Sequence, residues 1–141
     1  MTTTALDITK AMYAALLRGD FDQVYALLHD ECCIDFYGPP SIPYAGFYRG
    51  KAICKQFFEH VQNDVVIHTF SQDEFIANDT QVAVVGHLTL TANCTGRTYD
   101  TEYAHIITIK DNQWIRFRDF ADTATVAHAF METATPVVNA R

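Results

Sequence analysis

The segment "IRFRDFADTA", residues 115–124, alternates as a β-strand does and sets Ile115, Phe117 and Asp119 on one side. A carboxylate on the apolar side of a strand is out of place unless that side lines a cavity or the acid has a partner. A partner is available one strand earlier. In "RTYDTEYAHIITIK", Tyr103, His105, Ile107 and Ile109 share a face. A register that sets Ile109 beside Ile115 brings Ile107 opposite Phe117 and His105 opposite Asp119. It predicts a three-residue loop, Asp111-Asn112-Gln113, with Asn112 left-handed. A one-residue slip would turn the apolar side chains outward. Opposed Cβ atoms stand about 4.5–5.5 Å apart, within reach of a hydrogen bond or one bridging water. A carboxylate in an apolar cavity with an imidazole to orient it is what enolisation or aldol chemistry needs. The alternative is a structural carboxylate held by His105 or by a backbone amide.

Other reactive side chains sort by their surroundings. If Thr95-Gly96 is a two-residue turn, Cys94 opposes Arg97, and Tyr103, His105 and Ile107 oppose Leu88, Gly86 and Val84. Gly86 beside His105 then leaves space for a cavity, and Tyr103 becomes a candidate for a hydrogen bond inside it. Tyr37, Tyr44 and Tyr48 are placed to bring hydroxyls to the cavity mouth, although loop aromatics usually pack. Asp122 reads as the N-cap of "TATVAHAF". His60, His68, His87 and His128 have no partner in the pattern. "GFYRGK" (46–51) is one residue short of a phosphate loop and lacks Ser or Thr after Lys51. The four cysteines include no CxxC spacing, and in "HDECC" the neighbours His29, Asp30, Glu31 and Cys32 cannot readily converge on one ion. No metal or cofactor is indicated. The cysteines read as reduced, with Cys54 and Cys94 in regular elements.

The elements that must position these groups fall in two halves. "ALDITKAMYAALLRG" has Ile8, Met12, Ala15 and Leu16 at helical spacing and ends at Gly19. Asp20 opens a second helix, "DFDQVYALLH", with Gln23 as its capping partner. A short strand, "CCIDFY", precedes the loop "GPPSIPYAGFYRG", whose prolines and glycines forbid helix or central strand. A third helix runs from about Lys51 to Gln62. Then come four strands, "VVIHTFSQDEFIA", "TQVAVVGHLTLTANC", "RTYDTEYAHIITIK" and "QWIRFRDFA", separated by turn signals. "TATVAHAFMET" predicts a short last helix. Helices followed by an antiparallel meander imply an α+β domain, with a curved sheet wrapped over helices as a cone open at its mouth.

A chain of 141 residues fits one domain, 1–141. Its net charge of −7 argues against nucleic acid and against anionic membrane surfaces. No apolar run approaches a membrane span, and "MTTTALDITK" lacks a signal pattern, so a cytoplasmic location is expected.

"IPYAGFYRGKAICKQFF", "TGRTYDTEYAHIITIKDNQWIRFRDFADT" and the element order between them resemble the SnoaL-like proteins. These belong to the superfamily of nuclear-transport-factor-2-like and ketosteroid-isomerase-like domains, and the resemblance covers nearly the whole chain. It implies a cystatin-like α+β barrel: a cone-shaped, mostly antiparallel sheet over three N-terminal helices, with an internal pocket. The superfamily holds isomerases, cyclases, hydrolases, dehydratases and non-catalytic binding domains, so the fold does not choose among them. In its polyketide cyclases an aspartate on the last strand is the general base, with a histidine on the preceding strand; Asp119 and His105 match those places. In its ketosteroid isomerases an aspartate ends the first strand. Here "CIDFYG" turns Phe36 rather than Asp35 inward, which speaks against steroid isomerisation.

The expectation is therefore a cofactor-independent acid/base enzyme acting on a small apolar or carbonyl-bearing compound. Asp119 and His105 would be catalytic. Tyr103, Tyr44, Tyr48, Phe36, Phe117, Gly86 and Leu88 would contact the substrate. The alternative is a non-catalytic ligand-binding or dimerisation domain of the same fold. The Thr- and Val-rich outer side of the sheet suggests a homodimer.

Overall fold

Thr4 starts the first helix by accepting the Asp7 N–H while Asp7 accepts the Thr4 N–H, a reciprocal capping box. In the computed structural model, which describes residues 2–131, helix α1 (Ala5–Leu17) is followed by α2 (Phe21–Ala26), strands β1 (Leu28–Phe36) and β2 (Gly46–Arg49), and α3 (Lys51–Asp64). Four strands come next: β3 (Val65–Ala77), β4 (Gln81–Ala92), β5 (Thr98–Lys110) and β6 (Gln113–Ala121). Helix α4 (Thr123–Phe130) closes the described chain. Asp122 caps α4, accepting the Thr125 N–H and hydroxyl. The end of the expected last helix, residues 132–133, lies outside the described residues.

The six strands form one sheet in the order β2-β1-β6-β5-β4-β3. Every neighbouring pair is antiparallel except β1 and β6. Bulges at His68 and Asp73 interrupt β3, and such extra residues bend a strand and deepen its twist. The inner face curls over α1 and α3. Its ladder of Val82, Val84, Ile107 and Phe117 is buried, each side chain contributing about 1.5–3 kcal/mol. No helix among the described residues is long and apolar enough to cross a membrane.

Four sequence expectations are corrected. The second helix stops at Ala26, because Leu28 and His29 already belong to β1, where Leu28 pairs beside Trp114. The end of the proline loop forms the short edge strand β2. Cys94 is exposed in the β4–β5 loop rather than set in a strand, whereas Cys32 and Cys54 are buried thiols. That loop also has four residues, 93–96, closed by Ala92 and Arg97. Asn93 anchors it to the end of α3, its amides reaching Asn63 O and Asp64 O. The β4–β5 register consequently moves by two: Val84 faces His105 and Gly86 faces Tyr103. An even shift keeps every side chain on its expected face.

The outer face differs along its width. Across β4 and β5 it carries Val85, His87, Thr89, Ala104 and Ile106. Across β2, β1 and β6 it carries a buried acid between two arginines. Asp35 is 2% exposed and accepts from Arg49 at 2.6 Å and Arg116 at 3.1 Å.

Candidate active site

The β5–β6 hairpin builds the floor of the site. Its turn is two residues long, not three: Asp111 and Asn112 both have positive φ, 56° and 61°, as a tight hairpin turn requires. Ile109 therefore faces Trp114, and Ile115 is an extra residue bulged out of the ladder. Beyond the bulge the register is the expected one, with Ile107 opposite Phe117 and His105 opposite Asp119. The bulge also puts Trp114 on the inner face with Phe117, 1% exposed, a placement strict alternation would not give.

His105 and Asp119 meet there, Nε2 to Oδ1 at 3.3 Å. The His105 ring is held between Tyr103, 4.0 Å away and nearly parallel, and Phe117, 4.7 Å away and edge-on. Its other nitrogen, Nδ1, lies 2.6 Å from the Tyr13 hydroxyl of α1. Burial pushes the Tyr13 phenol well above its ordinary ionisation range, with Tyr103 and Asp119 adding to the effect, so Tyr13 keeps its proton and donates it to Nδ1. Nε2 faces Asp119 Oδ1 at ion-pair distance, so the ring is held by a hydrogen bond on one side and a carboxylate on the other. The second oxygen has no hydrogen-bond partner among the described residues, and the Asp119 side chain is 13% exposed.

Asp119 belongs to the wall of a cavity of about 480 Å³, lined by residues from α1, α2, α3, α4 and five strands. Phe36, Tyr44, Leu88, Tyr103 and Phe117 of the expected set line it with His105 and Asp119. Phe36 faces inward and Asp35 outward, as the first-strand pattern implied. Two expected residues are absent from the lining. Tyr48 is packed behind Tyr44, its hydroxyl donating to Tyr44 O at 2.9 Å. Gly86 leaves no gap: the ring of Tyr103 lies across it, and the Tyr103 hydroxyl donates to Ser71 O at 2.8 Å. Tyr103 therefore offers the cavity a ring rather than a free hydroxyl, and burial pushes its phenol up to about 12. Tyr37 stacks on Phe120 outside the cavity.

Tyr13, Tyr99, Thr101 and Trp114 join the lining without having been singled out. Tyr99 and Thr101 extend the alternation of Tyr103 and His105 and were legible there. Tyr13 adjoins Met12 in the apolar stripe of α1, where a phenol needs a partner. Among the described residues no group of three or more His, Cys, Asp or Glu side chains is arranged to hold a metal ion.

Tyr13→Phe removes the donor to Nδ1 and nothing else. A buried acceptor left unpaired costs about 1–3 kcal/mol, so the denaturation midpoint should fall accordingly. The ¹⁵N spectrum of His105 should change from one tautomer to a mixture; an unchanged spectrum would remove Tyr13 from this role.

The SnoaL-like domain model matches residues 9–117. No curated protein matches the chain. Among solved structures, a nuclear-transport-factor-2-like protein from Burkholderia xenovorans LB400 is 28% identical. The match covers 89% of this chain and 95% of that one, with a TM-score of 0.81. TerC, co-crystallised with polyporic acid, is 22% identical over 89% of this chain and 96% of its own, with a TM-score of 0.78. A Mesorhizobium loti protein designated a SnoaL-like polyketide cyclase is 20% identical over 83% and 98%, with a TM-score of 0.69.

Proposed function

The chain belongs to the SnoaL-like family, and from that premise we propose that it is a cofactor-independent acid/base enzyme acting on a small, apolar carbonyl compound. The observation that carries the reading is Asp119 itself, an acid with no hydrogen-bond partner among the described residues that faces His105 and lines an apolar cavity. In this reading Asp119 takes a proton from the carbon beside a carbonyl and returns it at another position or to another atom. The result is isomerisation, ring closure or elimination according to the substrate. His105, 3.3 Å from one carboxylate oxygen, faces the acid and tunes its protonation. The rings of Phe36, Phe117 and Tyr103 give the acid an apolar surround, in which the field of a carboxylate is screened less than in water. The designation of the Mesorhizobium loti relative supports this class of chemistry. TerC with polyporic acid supports the cavity as a ligand pocket, which is equally what a non-catalytic binding domain would need.

Hydrogen exchange separates the two. In D₂O the protein should accelerate exchange of the α-protons of 2-tetralone, a two-ring ketone small enough for the cavity, as followed by NMR. Asp119→Asn keeps the size and shape of the side chain and so keeps the fold, but has no base; the acceleration should vanish. Equal exchange by the two proteins would overturn the assignment of Asp119. No acceleration by either would favour the binding domain.

A further inference from the structure

The hydroxyl protons in the cavity wall can be followed one at a time. Tyr13 gives its proton to His105, Tyr103 gives its proton to Ser71 O, and Thr101 gives its own to Glu102 O. All three are committed. Tyr44, from the loop before β2, and Tyr99, on β5, are 5% and 7% exposed, and their hydroxyl oxygens lie 3.3 Å apart. Two hydroxyls hold two protons, and the single bond between them uses one. Whichever tyrosine donates, the other proton has no acceptor among the described residues. A second unpaired donor, the indole N–H of Trp114, is wholly covered by its neighbours. The hydroxyl pair belongs to the cavity lining, so its proton has somewhere to point. Buried donors are rarely left without acceptors, and inside a cavity the acceptor is a bound ligand or a water that a ligand displaces.

We propose that the Tyr44–Tyr99 hydroxyl pair is the receptor for the carbonyl oxygen of the ligand, and that the cavity takes neutral ketones in preference to carboxylates. The inference rests on the reading of this cavity as the site for a small carbonyl compound, and it names the groups that hold the oxygen. The charge pattern gives the second half. The described lining residues include Asp119 and no lysine or arginine, and His105 already faces Asp119, so a bound carboxylate would be buried beside a like charge with no counter-ion of its own. Burial raises both phenols above their ordinary ionisation range, so the pair keeps its protons at neutral pH.

Binding tests this apart from catalysis. Trp114 is the sole tryptophan and lines the cavity, so its fluorescence reports occupancy by 2-tetralone, by tetralin, which lacks the oxygen, and by tetralin-2-carboxylate. Wild-type protein should bind the ketone about three- to tenfold more tightly than the hydrocarbon, the worth of one hydrogen bond between neutral partners. The carboxylate should bind more weakly than either. Tyr44→Phe and Tyr99→Phe each leave one hydroxyl, whose proton is then free, so each should keep most of the preference. The double variant should lose it while binding tetralin as before. Equal affinity for ketone and hydrocarbon in the wild type, or a preference that survives in the double variant, would overturn the proposal. So would an unshifted C=O stretch of bound 2-tetralone in the infrared, a reading on wild-type protein that needs no variant to fold. A ketone preference without α-proton exchange would keep the pair and dismiss Asp119 as base; exchange without the preference would do the reverse.

Discussion

Gly86→Ala is expected to destabilise the protein by about 3 kcal/mol or more, near or beyond the upper end of typical overpacking effects. A Cβ at this position would lie 1.9 Å from Ser71 O and 2.4 Å from the Tyr103 hydroxyl. Neither neighbour can step aside cheaply. Ser71 O is backbone, next to the Asp73 bulge of β3, and the Tyr103 hydroxyl is bonded to it. The methyl would have to separate β3 from β4 or expel the Tyr103 ring. In the second case His105 loses the ring stacked on it, and the damage reaches the site. Urea titration measures the loss directly; a change under 1 kcal/mol would show that the glycine is not required for packing.

The second large effect appears in alkali. Tyr13, Tyr44, Tyr99 and Tyr103 all have phenols raised by burial, Tyr103 to about 12. In the unfolded chain a tyrosine ionises near pH 10. Above that pH the unfolded chain binds fewer protons than the folded one, so stability that is complete below pH 10 is lost as pH rises. Each protected tyrosine costs about 1.4 kcal/mol per pH unit. Between pH 10 and 11 the unfolded tyrosine goes from half to about nine-tenths ionised, so Tyr13 and Tyr44 alone would remove about 2 kcal/mol, a large share of the 5–15 kcal/mol of an ordinary domain. Urea midpoints at pH 9, 10 and 11 give the slope; a flat profile would mean that these phenols ionise in the fold as they do in water.

Much of the architecture was legible because it rests on side-chain period. The limits of β3 and β6 follow from β-branched and aromatic runs bounded by turn residues, and both match the structure. The facing of His105 and Asp119 was legible for a less direct reason. The loop length was overestimated by one and the Ile115 bulge was not foreseen, and the two errors cancel beyond Thr108. At the other hairpin the error was two residues and stayed hidden, since an even shift preserves faces while changing partners. That is why Gly86 was assigned to a gap beside His105 when it underlies Tyr103. Bulges and loop lengths are chosen by contacts such as Asn93 with Asn63, which no local pattern records. Tyr13 escaped for the same reason: its partner lies on β5, and only the packing of α1 brings them together.

The single parallel pairing has a consequence for how the site is made. β1 has only the four-residue β2 on one side, and on the other it waits for β6, with Phe36 coming to rest beside Asp119. Almost the whole described chain must exist before that seam can close. Contacts so distant in sequence form slowly and late, whereas the His105–Asp119 hairpin can form from local residues. During synthesis the wall bearing Phe36 emerges first and stands open to water until the last strand leaves the ribosome. The Asp119 carboxylate and the closing edge of the cavity are therefore delivered together, in one strand.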